Sequence, residues 1–331
     1  MGNPKWRASV GVARASSATE EPAAPVIFPI FDGGANTTEE PIIVERPASW
    51  LRDVDYIWRA GFNHAFTIPG ITPDPNTMGY LLWLALGGDA YDTGVHTITP
   101  ALDQQYLNVF LDYLLDIEPG VGTDPVKRII GAKITEFTIE QGAKQPCKLS
   151  VQGVACNRGE PLASVSPSIP TGADNAPLHW AHLQDDSGYF KVGLNGAALA
   201  EDTTIQGFKI GYRSGPIFQA PTLASNQPSG VYNGMREVTF GFEKDFHGAN
   251  AVAQVDAFMS EQAVAIEARW QIGTNYVVLT IPAGSFTAYP LSDVGPAEEM
   301  IRLIVEAKAY YDGTNSVISG SVKDGSVAAY S

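Results

Sequence analysis

The sequence predicts a mostly β protein: two tandem β-sandwich or barrel domains, each with one short flanking α-helix, behind an extended N-terminal arm. Three observations point there. Long stretches alternate apolar and polar residues, the period of a half-buried strand. In each half a strand leads into one short amphipathic helix, and several strands follow. Gly 33 and Pro 23 supply many turns without a collagen-like period. The expected division is an arm at 1–50, a first β-rich domain at 51–160, a linker at 161–187 and a second β-rich domain at 188–331.

Residues 1–50 are rich in Ala, Pro, Ser, Thr and Glu and show no sustained period. They read as an arm, either a flexible tail or a strap that orders on a neighbouring copy. Val26-Ile27-Phe28-Pro29-Ile30-Phe31 is too apolar for a purely solvated tail and is expected to dock. Trp6, Trp50 and Trp58, in or near the arm, are candidate anchors between copies, because aromatic side chains concentrate in interface cores.

A first strand is expected near 55–68. Asp74-Pro75 then supplies an N-cap and a proline at the first helical position. Met78, Leu81, Leu82, Ala85 and Leu86 lie on one helical face, and Gly87-Gly88 ends the helix. Strands are expected near 94–99, 105–114, 128–140 and 146–156. In the second of these, Leu107, Val109, Leu111 and Tyr113 share a face. Residues 157–187 carry Pro161, Pro167, Pro170 and Pro177 among Ser, Gly and Asn, which reads as a linker or long loop.

The second half opens with a strand at 188–194 and an Asn195-Gly196 turn. A strand near 203–213 aligns Phe208, Ile210 and Tyr212, and a loop of about twenty residues spans 214–234, long enough to suggest function. A strand near 236–245 aligns Val238, Phe240 and Phe242. A helix near 250–259 places Val252, Val255 and Met259 on one face. Strands near 262–271 and 275–281 and a short segment at 286–290 follow. The long strand 298–311 sets Ile301, Leu303, Val305, Ala307 and Ala309 against Arg302, Glu306 and Lys308, and Asp312-Gly313 turns it into a last strand near 316–322.

The formal net charge of −15 argues against gripping a phosphate backbone, which needs clustered Lys and Arg. It is compatible with a surface that DNA passes without sticking, although simple solubility is the commoner cause of an acidic composition. Cys147 and Cys156 would lie about 30 Å apart on one extended segment, far beyond disulfide reach, so both read as buried free thiols of a reducing compartment. The N-terminus lacks the apolar core of a signal peptide, Trp6 breaks a myristoylation pattern, and Tyr80 to Leu86 is too short to span a bilayer. Synthesis in the cytosol is therefore expected, with no membrane partner.

No nucleotide-binding, nucleophile-elbow or zincin motif occurs. His179 and His182 are the one ligand-like pair, followed by Asp185-Asp186 in an irregular segment where polar residues are expected anyway. The pairs Glu20-Glu21, Glu39-Glu40 and Glu298-Glu299 would point apart on strands and read as solvated surface. The sequence thus assigns no catalytic, cofactor-binding or metal residue, and a non-enzyme is expected.

The layout and several short phrases resemble the tail tube (major tail) proteins of long-tailed, siphovirus-like phages. The carrying residues are the arm ending before Arg52-Asp53-Val54-Asp55, the segment Ile71 to Gly88 with its leucine-rich helix closed by glycines, and His96 to Pro100 before the strand Tyr106 to Tyr113. The strand pair Arg128 to Glu140 and Cys147 to Ala155 carries the Gly131-Ala132-Lys133-Ile134 phrase. The resemblance implies a β-sandwich or small barrel whose copies join edge to edge into rings, stacked as a virion tail tube for genome ejection. It implies as partners further copies of the chain, in trimeric pseudo-hexameric or hexameric rings, together with tape measure, tail terminator and baseplate or tail tip proteins. Double-stranded DNA would pass through the lumen unbound. Strands 105–114, 128–140 and 298–311 are the expected lumen sheet, and the arm and loop 214–234 the expected ring-to-ring contacts. A carbohydrate-binding or adhesion module, a contractile-tail or secretion-system tube protein, and a hydrolase on a β-scaffold are the rival readings.

Overall fold

The computed structural model describes residues 9–20, 26–29, 36–47, 54–112, 126–162, 176–184, 187–219, 228–246, 248–288, 302–325 and 330. The first half carries β1 (Ser9–Ala15), β2 (Val26–Pro29), β3 (Asn36–Pro47) and β4 (Val54–Ile71) before helix α1 (Pro75–Leu86). After it come β5 (Gly87–Asp92), β6 (Val95–Pro100), β7 (Tyr106–Asp112), β8 (Val126–Gly142) and β9 (Lys148–Leu162). The second half carries β10 (Tyr189–Leu194), β11 (Ala200–Glu201), β12 (Ile205–Phe218), β13 (Val231–Asp245) and α2 (Gly248–Met259). It ends with β14 (Val264–Ile272), β15 (Asn275–Phe286), β16 (Arg302–Ala309) and β17 (Ser319–Lys323).

Every strand belongs to one antiparallel network, so the protein is mostly β, as expected. One run of neighbours is β3–β4–β9–β8–β12–β13–β16. The other is β5–β6–β17–β15–β14–β10–β11. The end of β15 pairs with β16 and links the two runs. A branch β2–β1–β7 joins the first half of β8, while β12 pairs with its second half. The β8–β12 and β6–β17 pairings both join the first half of the chain to the second.

The core lies between the two runs. Phe208 and Phe242, from one run, meet Phe190 and Trp270 of the other at ring-centroid distances of 4.9–5.8 Å. Such offset and edge contacts add to the burial of large aromatic surfaces. Along β16 the expected alternation holds: Leu303, Val305 and Ala307 are buried, Arg302, Glu306 and Lys308 exposed.

Helix α1 starts and stops as its sequence dictates. The Asp74 carboxylate accepts from the Thr77 amide at 2.6 Å, Pro75 occupies the first turn, and Gly87 closes the helix at φ 97°. The single apolar stripe expected from Met78 to Leu86 is corrected, however. Tyr80, Trp83 and Leu84, on the remaining faces, are buried too, and the helix contacts β5, β6, β8, β15 and β17. A helix apolar all round has no face to offer water, so α1 is enclosed rather than flanking. Helix α2 departs differently. Val252 and Met259 are 47% and 69% exposed, while Gln254 and Ala257 are buried. The helix is rotated so that Phe258 meets Phe286 edge-on at 5.9 Å, and the small Ala257 takes the close approach.

Other boundaries moved for local reasons. β5 was hidden by its polar sequence, and the Thr93-Gly94 turn, with φ 50° and 84°, makes it a hairpin with β6. Residues 157–162 extend β9, and Leu178, Trp180 and Leu183 lie in the core, so this part of the proline-rich segment is not solvated linker. Within the arm, β1 pairs with β7 along its whole length and buries Val12, Ala13 and Ala15. Its Ser-Val-Gly-Val-Ala-Arg-Ala composition is too rich in small residues to show a period. Val26–Pro29 docks on β1, whereas Ile30, Phe31, Trp6, Trp50 and the Trp58 side chain lie outside the described residues. Both ends of the loop at 214–234 are hairpin: β12 and β13 stay paired out to Phe218 and Val231, past an irregularity between Ser214 and Pro216, while residues 220–227 lie outside the described residues.

Candidate functional site

Four adjacent strands, β8, β12, β13 and β16, present their outward side chains on one broad face. Their inward residues, such as Phe137, Ile210, Phe240 and Val305, fill the core. Strand alternation therefore forces Glu136 and Glu140, Lys209 and Arg213, Glu237, Glu243 and Asp245, and Arg302, Glu306 and Lys308 to the other side. Two of the three strand regions expected to form one functional sheet, 128–140 and 298–311, contribute here. β7, the third, lies on the branch beyond β8.

The face is polar and mixed in charge. It carries six acidic and four basic side chains among those named, so its bias is only mildly negative. The bases are matched by acids across neighbouring strands. Lys209 reaches Glu140 at 2.6 Å, Lys308 reaches Glu237 at 3.0 Å, and Arg302 lies 4.0 Å from Glu243. Arg213 stands opposite Glu136 on one side and Glu237 on the other. These exposed pairs contribute little stability. Their consequence is electrostatic: a base already facing an acid is a poor site for phosphate.

Glycine paves the middle of the face at Gly207, Gly211 and Gly241. A Cβ at Gly241 would sit 2.7 Å from the Val305 carbonyl oxygen, and one at Gly211 would sit 2.8 Å from Thr239 Oγ1. At Gly241 the obstacle is the β16 backbone, so a bulkier residue forces β13 and β16 apart, whereas at Gly211 the Thr239 side chain must turn aside. The same region forms a shallow concavity of about 570 Å³ over Gly207, Gly241 and Ile304. It is an open depression with paired charges and offers no convergent set of reactive groups.

Beneath the face, Lys244 is 1% exposed and ion-paired to the buried Asp202. Burial pushes the Asp202 carboxyl up, but hydrogen bonds from Lys244 and Thr204 outweigh that and hold it below the usual range. Lys133 is likewise buried, reaches Asp103 at 2.6 Å and lies over the Tyr106 ring. Cys147 and Cys156 are both buried and free; burial raises both thiols, Cys156 to about 11.

The expected ligand-like pair serves the backbone. His179 Nδ1 accepts from the Ala181 amide at 3.2 Å and His182 Nδ1 from the His179 amide at 3.0 Å. Together they cap the short 3-10 turn Trp180–Leu183. No group of three or more His, Cys, Asp and Glu residues is arranged for a metal among the described residues. Of the acidic pairs, Glu20 accepts from the Ser16 amide; Glu21, Glu298, Glu299 and the side chains of Glu39 and Glu40 lie outside the described residues. No described helix is long and apolar enough to cross a membrane.

Sequence reasoning missed a second cluster, at the C-terminus. Buried His96 has Asp89 3.0 Å from Nδ1 and Asp324 3.7 Å from Nε2. The Tyr330 ring stacks on it at 3.9 Å, and its hydroxyl donates to Asp324 at 2.7 Å. Residues 89, 96, 324 and 330 share no motif; the β5–β6 hairpin sets Asp89 beside His96, and the β6–β17 pairing brings the C-terminal residues to them.

A family model described as "Phage tail tube protein" matches residues 68–322, well over half of the chain. That span runs from the end of β4 through β17 and includes α1 and all four strands of the polar face. No curated protein matches the chain. The chain belongs to the phage tail tube protein family, and is a structural tail tube subunit.

Proposed function

We propose that copies of this chain form stacked rings of a siphovirus-type tail, with the face of β8, β12, β13 and β16 lining the conduit for genome ejection. The observation that carries this reading is the pairing of bases with acids on that face, combined with a small acidic excess. DNA gliding past finds repulsion and no unmatched column of Lys and Arg, so it is not held by counterion release. The net charge of −15 suggested a lumen biased acidic. The face itself supports a weaker bias, with neutralisation of each base as the main device.

Ring stacking is supported by exposed apolar side chains. Leu102, Ile217, Tyr232 and Met235 are all exposed, Met235 at 92%. The β12–β13 hairpin carries three of them. The loop bearing Leu102 is tied to it through Arg236 and the Ala101 carbonyl, and through the Tyr106 hydroxyl and the Val231 backbone. An exposed apolar group of this kind marks an interaction surface. We assign the chain a non-enzymatic role, two tandem parts at 51–160 and 188–331, and assembly in the host cytoplasm with tape measure, terminator and tail tip proteins.

Negative-stain microscopy of concentrated protein tests the reading. Hollow tubes or rings are the expected result. Reversing Lys209, Arg213 and Lys308 to Glu should leave tubes intact, and reversing Glu140, Glu237 and Glu306 to Lys should make them retain DNA. A stable single copy that binds glycans at every concentration would overturn the proposal.

A further inference from the structure

The two halves repeat one topology. A long hairpin (β3–β4, then β12–β13) leads within a few residues into a helix (α1, then α2), and a short hairpin follows (β5–β6, then β14–β15). A later strand then returns to lie antiparallel to the second strand of the long hairpin: β9 on β4, with Leu149 opposite Ile71, and β16 on β13, with Leu303 opposite Lys244. Ile71 and Lys244 each lie four residues before the helix start.

This repetition has an open end. In the first half the outer edge of β8 is taken by β12, with Glu136 to Gly142 against Arg213 to Gly207. The matching edge in the second half is the end of β15, which pairs with β16 at Phe286 and through the Thr287 amide to the Glu306 carbonyl at 2.9 Å. Beyond Gly284, no strand among the described residues pairs with its other side. The matching counterpart of β12 is β3, whose second edge is likewise unpaired among the described residues. Exposed backbone edges of this kind invite another strand.

We propose that β3 of one copy adds to the end of β15 in the next, so that the joint between copies repeats the β8–β12 joint inside the chain. The register follows from the repeat. Val151 lies opposite Ile68 as Val305 lies opposite Phe242, all four buried, so five residues back Asn63 matches Glu237, and their partners are Glu40 and Arg213. Gln152, opposite Glu136, matches Glu306, which accepts from Thr287. Thr287 of one copy therefore stands opposite Glu40 of the next, as Glu136 stands opposite Arg213. Thr287 and Glu306 are exposed and Glu136 and Gln152 also face outward, so both joints continue the same polar face. The contact is head to tail, closes a ring, and gives a wall with twice as many sheet units as chains. It rests on the tube reading above.

The test is the pair Thr287→Cys with Glu40→Cys in the full chain, oxidised after assembly. Directly opposite strand residues lie within disulfide reach, and both native thiols are buried. The pair Glu136→Cys with Arg213→Cys is the internal reference and should close within one chain. The expected result is a ladder of covalent oligomers for Thr287→Cys with Glu40→Cys, absent from either single variant. Tubes that form without the ladder, while the reference pair closes, overturn this inference and leave the tube reading standing. Single copies at every concentration overturn both.

Discussion

Removing the Tyr330 ring should loosen the whole fold, although it lies one residue from the C-terminus. The ring stacks on His96 at 3.9 Å and contacts Trp83 and Tyr80 at 5.7 and 6.0 Å. Truncating a buried aromatic to alanine typically costs about 3–5 kcal/mol. Tyr330 is part-buried, which moves Tyr330→Ala to the low end, about 3 kcal/mol. Tyr330→Phe isolates the hydroxyl, which donates to buried Asp324, and losing a bond to a charged acceptor costs about 1.5–3 kcal/mol. Burial pushes the Tyr330 hydroxyl up, reinforced by Asp324, Asp89 and Asp74, so it stays a donor throughout the accessible pH range. Gly79 provides the internal check. A Cβ there would lie 2.1 Å from the Tyr330 hydroxyl oxygen and 3.0 Å from Val322 Cγ1. Gly79→Ala should therefore destabilise the parent, with overpacking of about 1–3 kcal/mol outweighing a helix-propensity gain of about 1 kcal/mol. In the Tyr330→Ala background most of the clash is gone, and the sign should approach zero or reverse. Urea midpoints of the four proteins of this cycle measure the coupling. Additive effects, or an unchanged midpoint for Tyr330→Ala, would refute the latch.

Four further outcomes follow from the same geometry. Asp74→Asn keeps the N-cap and relieves a carboxyl that burial has raised, so thermal melts should show no loss, whereas Asp74→Ala should cost about 1 kcal/mol. The depressed Asp202 carboxyl contributes stability above its unfolded value, near 4, and that stability is lost as pH falls through its lower folded value. Acid titration should therefore be flatter for Asp202→Asn, and Lys244, left buried without its acid, should cost about 3–5 kcal/mol at pH 7. Gly241→Val should prise β13 from β16, read as a lowered melting temperature and broken tubes. Deleting residues 1–25 strips β1 from β7, so the product should aggregate, and a soluble, well-folded truncation would contradict the paired arm.

What was legible in the sequence was whatever local chemistry decides. Asp74-Pro75 and Gly87 bounded α1 because an N-cap carboxylate, a missing amide and a left-handed glycine act on their own neighbours. The alternation in β16 was readable because one face is buried along its full length. What was hidden depends on partners distant in the chain. The rotation of α2 is set by Phe286, at the end of the second strand after it, and nothing in the spacing of Val252 and Met259 discloses it. The small residues of β1 show no period because their partner, β7, supplies the order. The polar face was hidden for the same reason. Each strand separately reads as a solvated edge of alternating charge, and net charge overstated the acidity of the surface. Only the register that sets Lys209 against Glu140 and Lys308 against Glu237 turns scattered ions into a neutralised wall. Register is fixed by the buried side of a sheet. Here the core residues Ile210, Phe240 and Val305 thus determine which charges meet on the opposite face. A core substitution that slipped β13 by one residue would keep every charge on this face, yet it would separate Lys308 from Glu237 and Arg302 from Glu243.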